Sequence, residues 1–445
     1  MLALSPTSPL DPERVAQVEQ PQLAAGTELL GVYAGSGCKE SPYLFRSADG
    51  RVVQVSRLLH LVAAQLDGAR DLDQVASNVT AELGRRVSAA NVAFLIDHKL
   101  RPLGLMADGE APPAAPRRPT RPLLALNVRA AVAPQRLVYG ATTLLRHLFL
   151  APVVLAVVAG LAAVDAWLFL AHGVSDGLRQ AIFQPAQLLL VVGVVLLSAA
   201  FHELGHASAC RYGGARPGAI GVGIYLVWPV FYNDVTDSYR LTKAGRLRTD
   251  LGGIYFNAVF ILAVAGAYGL TGFEPLVVVI LVLHLQMLQQ FLPFVRLDGY
   301  YVVSDLTGVP DLFARIKPVL VSLVPGRKTP EAVAELRPWP RTVITAWVLT
   351  TVPVLTGYVV MFVVHGPQTF ADARASLLVR QQNLWAALRQ GNEVAAVAEV
   401  VQLLALVLPV VGMTLLVARL FTRAGLAAHR RWSQRHPPPP ETPPP

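Results

Sequence analysis

The stretch Ala186-Gln187-Leu188-Leu189-Leu190-Val191-Val192-Gly193-Val194-Val195-Leu196-Leu197-Ser198-Ala199-Ala200-Phe201-His202-Glu203-Leu204-Gly205-His206 decides how this chain is read. Up to Phe201 it carries no charge and is apolar enough to sit in hydrocarbon. It then ends on the pattern H-E-x-x-H. On a helix, positions i and i+4 share a face, so His202 and His206 can grip one metal ion while Glu203 polarises a water beside it. Ionisable groups inside a membrane are costly and usually functional. The stretch therefore predicts a metal-dependent hydrolytic site on a membrane helix.

Composition agrees with a membrane protein. Of 445 residues, 53% are hydrophobic and 15% charged, and the mean hydropathy is +0.46. Apolar stretches predict helices near 147–172, 184–211, 251–270, 275–295, 342–364 and 395–420, each about the ~20 residues that cross ~30 Å of hydrocarbon or somewhat longer. Residues 219–232 are too short and too interrupted by Gly and Pro to span. Their β-branched and aromatic content predicts a re-entrant hairpin lodged against the bundle. The fold class is mainly α: a polytopic protein of about six transmembrane helices with that hairpin, plus a small N-terminal α+β domain.

Along the chain, residues 1–25 read as a flexible lead-in without the continuous apolar core of a cleavable signal peptide. Residues 26–107 read as a small soluble domain. It has strand character within Val32–Phe45 and over Val52–Val55, and helical spacing over Ser56–Leu66, Asp73–Leu83 and Ala89–His98, the last capped by Ser88. Residues 108–145 form a proline-rich linker and a basic juxtamembrane segment, residues 146–421 the membrane domain, and residues 422–445 a proline-rich tail predicted to be disordered. The two cysteines, Cys38 and Cys210, form no framework, which predicts free thiols in a reducing compartment.

The net charge of +9 is unevenly placed. Arginines and lysines cluster before the first apolar helix and after the second, fourth and sixth. The other side carries only Arg179, Arg374, Arg380 and Arg389. By the positive-inside rule both termini are cytosolic, and the partner of the basic segments is the lipid bilayer rather than nucleic acid. The paired histidines then lie a short way below the cytosolic surface.

A zinc ion needs a third protein ligand and an open position. Asp298, after Pro293 at the expected end of the fourth helix, lies at the depth of the histidines. Asp234 and Asp237, after the hairpin, are rivals. His284, Gln286, Gln289 and Gln290 place polar groups on the fourth helix, either for interhelical bonding or, at Gln290, to line a substrate groove.

His202-Glu203-Leu204-Gly205-His206 followed by Leu297-Asp298-Gly299 resembles the site-2 protease family of intramembrane zinc metalloproteases. The resemblance covers roughly residues 184–305. It implies one Zn2+ held by His202, His206 and Asp298, with Glu203 as general base. The family's later motif has Asn and Pro where this chain has Gln290 and Val295, and substrate binding falls to Gln290. The helix pattern around Leu66-Asp67-Gly68-Ala69-Arg70-Asp71-Leu72 is similar to the winged-helix peptide-binding domain of PQQ biosynthesis, which implies a leader peptide bound by residues 26–107. Together these imply a bacterial plasma-membrane zinc endopeptidase that cleaves a peptide or membrane-protein substrate near the cytosolic face. The alternative is a zinc-containing accessory or sensor for peptide modification or export. A transporter would show paired broken helices and a pseudo-repeat, which the sequence lacks.

Overall fold

The computed structural model describes residues 20–47, 52–107, 126–173, 184–225 and 228–435. The N-terminal domain opens with strands β1 (Glu28–Val32), β2 (Tyr43–Arg46) and β3 (Val52–Val55), antiparallel in the order β1-β2-β3. Helices α1 (Arg57–Ala64), α2 (Leu72–Leu83) and α3 (Ala89–Leu95) follow. Each starts where a side chain accepts from an otherwise unpaired amide: Ser56 from Leu59, Asp71 from Gln74 in a capping box, and Ser88 from Asn91. Their apolar faces meet β2 in a core of Phe45, Val62, Val75, Val79, Val92 and Leu100. Within the expected lead-in, Gln22 and Leu23 already bridge to Asp67 and Met106. Residues 1–19 and 108–125 lie outside the described residues.

The juxtamembrane segment is structured: β4 (Leu126–Ala133) leads into α4 (Gln135–Leu145) and α5 (Ala151–Trp167). After α6 (Pro185–Tyr212) comes the expected hairpin, β5 (Ile220–Tyr225) and β6 (Trp228–Asn233). It is part of a three-stranded antiparallel sheet ordered β4-β5-β6, with Ala130 opposite Val222 and Val222 opposite Phe231. Helices α7 (Lys243–Asp250), α8 (Gly252–Thr271), α9 (Pro275–Gln290), α10 (Asp298–Thr307), α11 (Pro338–Arg389) and α12 (Glu393–Arg435) complete the chain. The helix α12 thus runs into the stretch expected to be a disordered tail, and residues 436–445 lie outside the described residues.

Among the described residues, five helices are long and apolar enough to cross a membrane: α5 with its extension to His172, α6, α8, α11 and α12. The sixth apolar helix, α9, has 16 residues, or about 24 Å at 1.5 Å per residue, short of ~30 Å of hydrocarbon. By contrast α11 runs for 52 residues, about 78 Å, through Pro353 and Pro367. Beyond the expected end at 364 it continues as an antiparallel hairpin with α12, braced where Arg380 Nη1 lies 3.3 Å from Glu399 Oε2.

Two contacts fix the helices around His202 and His206. First, α6 and α8 cross on glycine. A β-carbon at Gly252 would lie 2.6 Å from Gly205 O and 2.9 Å from Ala209 Cβ, so only small residues permit this approach. Second, the N-terminal domain is docked onto the helices. Its loop 33–39 donates from Gly37 N to Gly308 O (3.1 Å) and from Lys39 N to Glu335 O (2.7 Å), and accepts at Gly37 O from Arg337 N (2.8 Å). A salt bridge from Arg46 Nη2 to Asp237 Oδ1 at 2.6 Å adds a second point of attachment.

Candidate metal centre

His202 and His206 project from one face of α6, as their spacing requires, and are 5% and 9% exposed. Asp298 is the first residue of α10. The fourth apolar helix, expected to run to 295, stops as α9 at Gln290, and the segment 291–297 turns back through Pro293, whose carbonyl accepts from Trp347 Nε1 at 2.8 Å. The turn is tight enough that a β-carbon at Gly299 would collide with the backbone of Phe291. That gives the Leu297-Asp298-Gly299 triplet a local reason: the glycine lets the chain fold back and bring the aspartate to the histidines.

The three side chains converge. His202 Nε2 and His206 Nε2 are 3.1 Å apart, and Asp298 places Oδ2 at 3.2 Å from the first and Oδ1 at 3.5 Å from the second. A tetrahedral zinc ion with bonds of 2.0–2.1 Å separates its ligand atoms by about 3.3 Å, so the spacing fits. The protons fit as well. His206 Nδ1 lies 2.8 Å from Thr249 O. A carbonyl only accepts, so Nδ1 carries the proton and Nε2 presents a lone pair toward His202. That lone pair faces the same small space as His202 Nε2 and the Asp298 carboxylate, which is the donor set a cation would need. Across the pocket Gly253 keeps the space open, since a β-carbon there would fall on the Nε2 atoms of both histidines. These are the residues, among those described, whose ligand atoms gather closely enough to hold a metal ion.

Comparison with known proteins adds a coarse class. The chain is 21% identical over 145 residues to YydH of Bacillus subtilis (strain 168), which is provisionally named a peptide zinc metalloprotease. The similarity covers 32% of this chain and 57% of the relative, so the chain spans little more than half of that protein. No family model and no solved structure matches.

Glu203 follows His202 on α6, and its carboxylate lies within electrostatic reach of His206, His202 and Asp298. Its backbone oxygen accepts from Asn233 Nδ2 at 2.8 Å, which ties the end of β6 to the metal centre. The Oδ1 atom of Asn233 is buried without a hydrogen-bond partner. Sequence reasoning did not single out Asn233; nothing but its place at the end of the hairpin strand signals it. Gln290 ends α9 with its Oε1 likewise buried and unpartnered.

The rival aspartates are used elsewhere. Asp234 Oδ1 accepts from Thr236 N (3.1 Å) and Thr236 Oγ1 (2.6 Å) as a turn residue. Asp237 accepts from Arg216 N at 2.8 Å and pairs with Arg46 and Arg240. Partial burial alone would raise its pKa, but these donors win and hold it below the ordinary aspartate range. Cys210 packs against Ala215 and Leu241, and both cysteines are free thiols. His284, read as an interhelical bonding group, lies 2.7 Å from Asp165 on α5.

Proposed function

We propose that the chain is a polytopic zinc endopeptidase of site-2 protease type that hydrolyses a membrane-associated peptide or protein at the end of the bundle carrying His202, His206 and Asp298. The observation that carries this reading is that three ligand atoms are spaced like corners of a zinc tetrahedron, two of them on the apolar helix α6 that also carries Glu203. A zinc ion held there supplies an acidified water and an electrophile for the scissile carbonyl. The protein's own groups do the rest. Thr249 O fixes the His206 tautomer, Asp298 contributes the anionic ligand from a second element, and Gly253 leaves room for the reacting atoms. Glu203 takes the proton of the attacking water and returns it to the leaving amine.

Substrate recognition follows from the surroundings. Strand β6 is an edge of its sheet and ends beside Glu203. An extended peptide paired with it would bring its scissile bond past Asn233 toward the metal, and main-chain pairing of this kind needs an unwound substrate. Gln290 supplies a second amide for the substrate backbone. A leader peptide bound by the N-terminal domain fits a role in peptide maturation, and the placement of Arg and Lys supports cytosolic termini in a bacterial plasma membrane. The test is cleavage of candidate precursor peptides by the zinc-loaded protein in lipid nanodiscs. Glu203→Gln is expected to lower the rate about 10²–10⁴-fold, the range of general acid–base catalysis. Unchanged cleavage in Glu203→Gln would refute the mechanism, and a wild-type protein that binds zinc yet cleaves none of these peptides would leave the chain as a zinc-containing accessory.

A further inference from the structure

Arg246 on α7 is the largest fully buried side chain of the described residues, at 1% exposure. A guanidinium cannot lose its charge in a protein, so its burial demands partners. It has four, from three parts of the chain. Nε donates to Asp305 Oδ1 at 2.9 Å, Nη1 to Leu241 O at 3.0 Å and Nη2 to Ala34 O at 3.0 Å. The Tyr33 ring lies 4.5 Å from the guanidinium carbon, and the Tyr33 hydroxyl itself donates to Asp305 Oδ1 at 3.0 Å.

The placement of these partners matters more than their number. Asp305 lies seven residues after Asp298 on the same helix α10, so the two aspartates share a face two turns apart. Anchoring Asp305 sets the rotation and height of the helix that presents Asp298. Arg246 in turn lies three residues before Thr249, whose carbonyl orients His206. One buried guanidinium on α7 thus references the support of one histidine and the helix of the carboxylate ligand. Two of its other partners, Tyr33 and Ala34, belong to the N-terminal domain. The same loop grips α10 again at its far end, where Gly37 N donates to Gly308 O at 3.1 Å.

We propose that Arg246 is a positioning residue of the metal centre, through which the Tyr33–Ala34 segment of the N-terminal domain sets where Asp298 meets His202 and His206; this rests on the reading of those three residues as a zinc site. Withdrawal of that segment removes Ala34 O and the Tyr33 ring from a buried charge and one donor from Asp305, so of these contacts Asp305 keeps only that to Arg246 Nε, and the position of α10 loosens. Seating of the Tyr33–Ala34 segment on Arg246, rather than docking of the domain in general, is therefore coupled to occupancy of the metal site. Groups that support ligands from outside the coordination sphere are typically worth 10–100-fold in metal affinity.

The test is Zn2+ affinity by chelator competition on the full chain in detergent, together with the visible spectrum of the Co2+-loaded protein. Arg246→Lys is expected to raise the zinc Kd about 10–100-fold, Tyr33→Phe to raise it several-fold, and both to alter the cobalt bands. Arg46→Ala is the control: it removes the Arg46–Asp237 salt bridge, a docking contact that reaches neither α10 nor Thr249, and should leave affinity and spectrum as in wild type. Wild-type affinity and spectrum in a folded Tyr33→Phe protein would overturn the proposal, even if Arg246→Lys fails to fold. Equal weakening in all three variants would also overturn it, as general loosening. A wild-type chain that binds no zinc would overturn the zinc reading as well.

Discussion

In the N-terminal domain the buried groups are Phe45, Val62, Val75, Val79, Val92 and Leu100, and the helices begin on local caps. Around the metal centre the buried groups are His202, His206, Arg246, Thr249 and Asn257, and the helices touch through Gly205, Gly252 and Gly253. Each apolar contact in the first region contributes by area removed from water, and a lost one is shared among many neighbours. The second region depends on placement. A single added methyl group there meets a ligand atom at Gly253, or the backbone of the opposite helix at Gly205 and Gly252, rather than a gap, and a lost partner leaves a buried polar group unpaired. The two regions should therefore fail differently: the domain in stability, the centre in metal and activity with the fold retained.

The largest effect is expected at Gly253. In Gly253→Ala the new methyl group occupies the space of the Nε2 atoms of both histidines, so bound zinc should fall to near zero by elemental analysis while helical circular dichroism is kept. Full zinc content would break the contrast. On the other side, Leu100→Ala empties a fully buried site. It should cost about 2–5 kcal/mol, read by hydrogen exchange of the N-terminal domain, with zinc content unchanged while the domain stays folded. Asp71→Ala removes the capping box of α2 and should cost about 1 kcal/mol in the same assay.

Smaller still is a pH effect at His60, which stacks on Tyr43 with ring centroids 4.2 Å apart. Burial holds its pKa below the ordinary 6.5, against a smaller opposing pull from Glu82. The folded domain therefore favours the neutral ring. Its contribution to stability is present above pH 6.5 and is lost as the pH falls and the unfolded chain takes up the proton. Thermal unfolding of the domain between pH 7.5 and 5.5 should show this slope, and His60→Phe should flatten it.

The centre was legible in part because its chemistry is written in local patterns. His202 and His206 are one turn apart, and Leu297-Asp298-Gly299 is a short triplet. Their meeting was not derivable, because it needs a turn after Gln290 and a glycine crossing between α6 and α8 that no periodicity records. Gly253 and Asn233 went unnoticed for the same reason: each matters only through what lies opposite. The strand β4 lies in Leu126-Asn127-Val128-Arg129-Ala130-Ala131-Val132-Ala133, where alanines blur the alternation and a proline-rich run precedes it. The sequence His365-Gly366-Pro367 reads as a helix end, yet α11 continues through it and pairs with α12 beyond it, at Arg380 and Glu399. In the N-terminal domain the cap at Ser88 is local and was readable, while the docking of loop 33–39 on α10 joins residues more than 250 positions apart and left no trace in the pattern.

The central claim is that His202, His206 and Asp298 together hold one zinc ion. X-ray absorption at the zinc edge of the purified full-length protein tests it most directly. The account predicts one zinc per chain in a shell of nitrogen and oxygen at about 2.0–2.2 Å, with the metal lost in His206→Ala and retained in Glu203→Gln. A shell containing sulfur, or full zinc content in His206→Ala, would contradict it.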